Sequence, residues 1–204
     1  MNAPSERTDH YFAAGPAVGS APKVVTVGWV DPPLRLTTDR GVFSHGRLDP
    51  GTQFLLRQAP PPPATGRFAD LGCGYGPIAL TLARRSPQAM VTAVDVNERA
   101  RALCAANGAA NSLANVETVA PDDVDPTARF DLIWSNPPIH VGKLALHALL
   151  TNWLGRLAPA ATAVMVVHKH LGSDSLQRWL TDQGWPTDRL ASSRGYRLLR
   201  SCAA

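Results

Sequence analysis

The chain reads as an α/β domain: a mostly parallel sheet with helices on both faces, an antiparallel last strand and a small β-rich N-terminal extension. Three observations predict it. From Arg67 onward, short apolar runs alternate with helical periodicity, the pattern of a parallel sheet crossed over by helices. One strand-to-helix junction is Asp70-Leu71-Gly72-Cys73-Gly74-Tyr75-Gly76, an acid and alternate glycines before a helix that begins at Pro77. At the far end, two short β patterns flank Ser193-Arg194-Gly195, a turn that permits only an antiparallel pair. A chain of 204 residues buries one good core, which argues against two domains.

In chain order, residues 1–22 carry Pro4, Gly15, Pro16, Gly19, Ser20 and Pro22 with little apolar periodicity, and read as a flexible arm in which His10-Tyr11-Phe12 is the part suited to docking. Residues 23–65 form the β-rich lead-in. Lys23 to Val30 alternates as a strand, and Leu34 to Thr38 is its hairpin partner across Asp31-Pro32-Pro33. Gly41 to Thr52 is a turn-rich connector with a helix cap at Asp49 or Thr52, leading into a short amphipathic helix, Gln53 to Gln58. Pro60 to Pro63 is a stiff spacer. Residues 66–204 make the main domain. Its strands are expected at Arg67 to Leu71, Met90 to Val94, Val116 to Val119, Phe130 to Ser135, Ala161 to Val167, Asp188 to Ala191 and Tyr196 to Ser201. Its helices are expected at Pro77 to Arg85, Glu98 to Asn107, Lys143 to Leu157 and Ser173 to Gln183.

The glycine turn is built for backbone to approach a nucleoside cofactor, and its spacing says which. A dinucleotide fingerprint needs a third glycine at position 77, where this chain has Pro77. S-adenosylmethionine has no pyrophosphate to lay on a helix N-terminus; it offers an ammonium group, a sulfonium and a ribose diol. The turn glycines Gly72, Gly74 and Gly76 suit it. Asp70 suits its cationic methionine end, and Asp95, closing the next strand, suits the two ribose hydroxyls.

Further on, the buried strand Phe130 to Ser135 delivers Asn136-Pro137-Pro138 at the sheet edge where open α/β sheets bind ligands. Two prolines hold that backbone extended and remove two donors. The Asn136 side-chain oxygen and a carbonyl of the turn, that of Pro137, then each accept one hydrogen of a planar exocyclic amine. Holding both hydrogens favours a pyramidal nitrogen with a directed lone pair, which suits methyl transfer to nitrogen without a strong base. Asn136, Pro137 and Pro138 are therefore the expected catalytic residues, and Asn136 is expected to contact the cofactor as well.

Taken together, the glycine turn, Asp95 and Asn136-Pro137-Pro138 resemble the class I methyltransferases, specifically the "methyltransferase small" family of rRNA guanine-N2 methyltransferases. The likeness runs from about Lys23 to Cys202 and takes in Gly142-Lys143 and the closing Gly195-Tyr196-Arg197-Leu198-Leu199. It implies a Rossmann-like class I sheet, S-adenosyl-L-methionine as cofactor, and the exocyclic N2 amine of a guanine in rRNA as target. It also implies that the Gly41 to Thr52 stretch is a lid over the methionine end, and that Asp122 lies beside the adenine amine. The family pattern continues after the prolines with an aromatic that stacks on the target base; this chain has Ile139 and His140 there, so that stacking role has no evident holder.

Other features narrow the function. Net charge is +4, and 17 of the 20 basic residues are arginines, a balance that leans toward an anionic partner such as RNA. Arg35, Arg40, Arg47 and Arg57 in the lead-in, with Arg189, Arg194, Arg197 and Arg200 near the end, are the candidate phosphate contacts. Cys73, Cys104 and Cys202 are odd in number and scattered, which points to neither disulfide nor zinc. His168 and His170 alternate on one expected strand with no third ligand, so no metal is expected. With no signal core and no long apolar stretch, the expected location is cytoplasmic, as a monomer or weak dimer. Alternatives are a protein glutamine or small-molecule N-methyltransferase, which could use the same Asn-Pro-Pro geometry, a non-catalytic RNA-binding protein with this fold, and an oxidoreductase, against which Pro77 argues.

Overall fold

The computed structural model describes residues 18–138 and 141–203. Most of the expected arm, including His10-Tyr11-Phe12, and both Ile139 and His140 lie outside the described residues. Strands β1 (Lys23–Val27) and β2 (Leu34–Thr38) pair antiparallel, with Val25 opposite Leu36. Next come α1 (Pro50–Gln58), β3 (Thr65–Leu71), α2 (Pro77–Arg85), β4 (Gln88–Val94), α3 (Glu98–Ala110) and β5 (Val116–Val119). The chain then crosses back to β6 (Phe130–Ser135), α4 (Lys143–Leu154), β7 (Leu157–His168), α5 (Ser173–Asp182), β8 (Thr187–Ser193) and β9 (Tyr196–Cys202). The main sheet runs β5-β4-β3-β6-β7-β9-β8; the first five strands are parallel, and β9 lies antiparallel between β7 and β8. The order reverses between β3 and β6, so a crevice opens above their carboxyl ends.

The period-two alternation of the strands divides the core in two. Phe68, Leu132, Trp134 and Leu198 pack on one face with Leu55 of α1, Ile78 and Leu82 of α2, Cys104 of α3 and the β1–β2 hairpin. Ala69, Ile133, Met165 and Leu199 pack on the other with Leu150 and Trp153 of α4 and Leu180 of α5.

The outer edge of β2 is closed by side chains rather than by a strand. Asn107 of α3 accepts from the Thr37 amide at 2.7 Å and donates to the Thr37 carbonyl at 2.8 Å. One helical turn on, Asn111 does the same for Arg35 at 3.1 and 3.0 Å. The spacing works because alternate strand residues present their amides to the same side, while residues four apart stack on one helix face.

Several boundaries differ from expectation. Helix α1 begins at Pro50, three residues early, because Asp49 is the cap that accepts from Thr52 N at 2.9 Å. Helix α4 stops at Leu154, where Gly155 takes the C-cap, and the chain enters β7 at Leu157 opposite Phe130. His170 is not on a strand with His168: β7 ends at His168 and residues 169–171 form a 3-10 turn.

Candidate active site

At the end of β3, the Gly72 and Cys73 amides both donate to the Val94 carbonyl, at 2.9 and 3.0 Å, so the turn is pinned across the mouth of β4. Two glycines have different reasons to be there. Gly72 has φ +74°, and a Cβ on it would meet nothing within 4 Å, because it would project into open cavity. Gly76, the N-cap of α2 with φ +97°, would put a Cβ 2.7 Å from Cys104 Sγ: it serves close packing and does not line the cavity.

Asp70 sits beneath the turn. Its side chain is fully buried; Oδ2 accepts from Ala79 N in the first turn of α2 at 2.9 Å, and Oδ1 has no partner among the described residues. Burial pushes its carboxyl up to about 8, with Asp95 adding repulsion. Through Oδ2 this carboxyl faces helix α2, and it lies beneath the cavity wall rather than on it. Asp95 does line it. Its Oδ2 accepts from Gly74 N at 2.8 Å and its Oδ1 from Asn97 N at 2.9 Å. Desolvation raises its pKa, opposed by those two amides and by Arg101. Each oxygen accepts one amide and keeps a second lone pair, and two such acceptors suit a diol. Asp122 is exposed and does not line the cavity; its neighbour Pro121 is the residue of that turn that reaches the wall.

The cavity holds about 330 Å³ and spans the ends of β4, β3 and β6. Val42 and Phe43 of the connector close one side. Side chains fasten that connector: Asn97 donates to Gly41 O at 2.8 Å, Tyr75 to Arg47 O at 3.1 Å, and His45 bonds Ala21 O at 2.7 Å.

Asn136, Pro137 and Pro138 line the opposite end. Strand β6 is tied to β3 there by Ser135 Oγ donating to Leu71 O at 2.7 Å. Asn136 Nδ2 donates to Asp49 Oδ1 at 2.8 Å and to Thr52 Oγ1 at 3.1 Å. Since a carboxylate only accepts, the amide group of Asn136 must turn its NH₂ to Asp49 and its oxygen the other way. Beside it stand Trp153 and, beyond the edge of β6, His168 and Tyr196, which face each other across β7 and β9 with ring centroids 5.0 Å apart, edge to face. Burial and Asp49 raise the Tyr196 phenol above its ordinary range.

Sequence reasoning thus brings Gly72, Gly74, Asp95, Asn136, Pro137 and Pro138 to one cavity and misses others. Asp49 is legible as a cap but not as the partner of Asn136. Tyr196 stands in the closing motif with no role attached, and the pattern around His168 raises only the question of a metal.

Residues 33–200 match the methyltransferase small domain family. The chain belongs to that family. It is 30% identical over 197 residues to YbxB, an uncharacterized protein of Bacillus subtilis, covering 95% of this chain and 98% of that one. It is 46% identical over 114 residues to the ribosomal RNA small subunit methyltransferase C of Pseudomonas putida, covering 55% of this chain but 33% of that relative's length. Its fold superposes with a TM-score of 0.78, at 25% identity, on the T. thermophilus 16S rRNA N2 G1207 methyltransferase in complex with AdoMet and guanosine, over 93% of this chain and 52% of that one.

This family member is an S-adenosylmethionine-dependent methyltransferase, and the cavity fits that cofactor. The open space over Gly72 admits a ligand that a Cβ would exclude, and Asp95 offers two acceptors at the next strand end. Among the described residues no helix is long and apolar enough to cross a membrane, and no group of three His, Cys, Asp or Glu could hold a metal.

Proposed function

We propose that the enzyme methylates the exocyclic N2 amine of a guanine in ribosomal RNA. The observation that carries this reading is the fixed orientation of Asn136: its NH₂ is consumed by Asp49 and Thr52, which leaves its oxygen as an acceptor for one amine hydrogen. The second hydrogen is assigned to the carbonyl of Pro137, which follows Asn136 in the cavity wall. An aromatic amine held at both hydrogens is pushed toward a pyramidal nitrogen whose lone pair points across the cavity. S-adenosylmethionine, when bound, supplies the electrophilic methyl group. Asp95 would hold its ribose hydroxyls, Val96 and Pro121 its base, and the backbone at Gly72 and Gly74 its methionine portion. Asp70 acts one layer below, by capping the helix that carries the turn. Because the methylated nitrogen is acidic once alkylated, the site needs no strong base. The T. thermophilus enzyme forms a complex with guanosine, which supports the choice of base.

Incubating the protein with S-adenosylmethionine and rRNA, then resolving the nucleosides by mass spectrometry, tests this. N2-methylguanosine is expected, and Asn136→Ala should cut its rate roughly 10²- to 10³-fold, the scale for loss of one aligned polar group, while cofactor affinity holds. Methyl groups found on a ribosomal protein, or on a different base atom, overturn the reading.

A further inference from the structure

A second concavity of about 400 Å³ lies between α1 and the β8–β9 hairpin, and it meets the active-site cavity at Tyr196, which lines both. One side is a single stripe of α1, Pro50, Gln53, Phe54 and Arg57, which follow one another at helical spacing. The stripe begins one residue after Asp49, the partner of Asn136. The other side is the hairpin turn with Arg194 at its tip.

Four features of this groove go together. Among the described residues its lining contains two arginines and no acid, whereas Arg189 and Arg200 on the same hairpin are engaged by Asp174 at 2.6 Å and Asp188 at 2.9 Å. The Arg57 guanidinium lies over the Trp29 ring at 5.7 Å, a contact that orients the cation without neutralising it. Arg194 holds φ +47°, a left-handed conformation that a side chain disfavours and that a turn of this kind ordinarily gives to Gly or Asn. The floor is aromatic: Phe54 and Tyr196 lie 6.4 Å apart, tilted by 36°. Cations beside aromatic faces along a groove are what a single-stranded nucleic acid requires, the first for its phosphates and the second for its bases.

We propose that this groove holds the RNA strand next to the methylated nucleotide, with Arg57 and Arg194 on backbone phosphates and the Phe54–Tyr196 face under a flanking base. The proposal rests on the rRNA reading above and adds the path of the strand. From Pro50 to Arg57 the helix rises about 10 Å, enough for the nucleotide beside the target. It also separates these two arginines from those of the hairpin that are already in ion pairs.

The test is binding of a short, labelled, guanine-containing single-stranded RNA by fluorescence anisotropy from about 50 to 200 mM KCl. Arg57→Ala/Arg194→Ala should bind about tenfold more weakly, and its plot of log affinity against log salt should be shallower by about 1.4, the value for two lost phosphate contacts on a single strand. Arg57→Lys/Arg194→Lys should keep the wild-type slope. Stabilisation by S-adenosylhomocysteine should be equal in all three, which shows that the variants are folded. If the wild type methylates rRNA and the double alanine variant keeps its slope and affinity, the groove assignment is overturned and the function stands. If the wild type neither binds the RNA nor methylates rRNA, or places its methyl group on a protein, both are overturned.

Discussion

Replacing Asp49 by alanine separates the two tasks that its carboxylate performs. The Thr52 amide loses its cap, which costs about 1 kcal/mol, and Asn136 loses a charge-assisted hydrogen bond, which in this half-buried setting costs about 1.5 kcal/mol more. For a chain of 204 residues each kcal/mol moves Tm by roughly 2–4 °C, so a fall of about 5–10 °C is expected. The kinetic effect is the informative one. With only the Thr52 hydroxyl left at 3.1 Å, the Asn136 amide is free to turn over and present NH₂ to the substrate amine, donor against donor. Single-turnover methyl transfer at saturating cofactor should fall about 10²-fold. Asp49→Asn is the control, since its amide oxygen can still accept from both Thr52 N and Asn136 Nδ2, and both stability and rate should stay close to wild type. A variant Asp49→Ala that melts lower but transfers methyl at the wild-type rate refutes the idea that this carboxylate orients Asn136.

Asp95→Ala should weaken S-adenosylhomocysteine binding by about 100-fold, equivalent to about 3 kcal/mol for two hydroxyls on a charged acceptor; titration calorimetry measures it, and an unchanged affinity removes the ribose role. Asp70 makes a prediction about pH. Burial raises its pKa from 3.8 unfolded to about 8 folded, so between those values the native state holds a proton that the unfolded chain has released, and stability falls as pH rises through that window. Asp70→Asn keeps an acceptor for Ala79 N and removes the titration. Its stability should decline less with pH than that of the wild type between about pH 5 and pH 8, the two diverging by at most about 1.4 kcal/mol per pH unit, and parallel Tm profiles refute the assignment.

The parts of the site that are legible in the sequence are those imposed by backbone. Glycines at 72, 74 and 76 answer to positive φ, and Pro77 and Pro137-Pro138 to missing donors, so the turn and the end of β6 can be placed from local pattern. What escapes depends on how elements seat against each other. A period-two strand says that Asp70 and Leu71 point to opposite faces, but whether the acid meets a ligand or helix α2 is decided by where α2 lands. Asp49 and Asn136 are 87 residues apart, and no local signal joins them. The pairing of His168 with Tyr196 follows from the register of β9 against β7, which a sequence of alternating apolar residues leaves open. Helix α4 reads too long in the sequence because Leu157 looks like a continuation, although Gly155 ends the helix and Leu157 starts the next strand.

The amide rungs from Asn107 and Asn111 to β2 bear on how the molecule breathes. Each rung ties a backbone donor and acceptor of the hairpin to a helix, and Asn107 donates as well to Tyr75 O in the glycine turn at 2.8 Å. The Thr37 and Arg35 amides cannot exchange their hydrogens with solvent until those side chains let go. The hairpin and α3 therefore form one opening unit for hydrogen exchange, and the slow-exchanging core reaches past the main sheet to the edge of the small one.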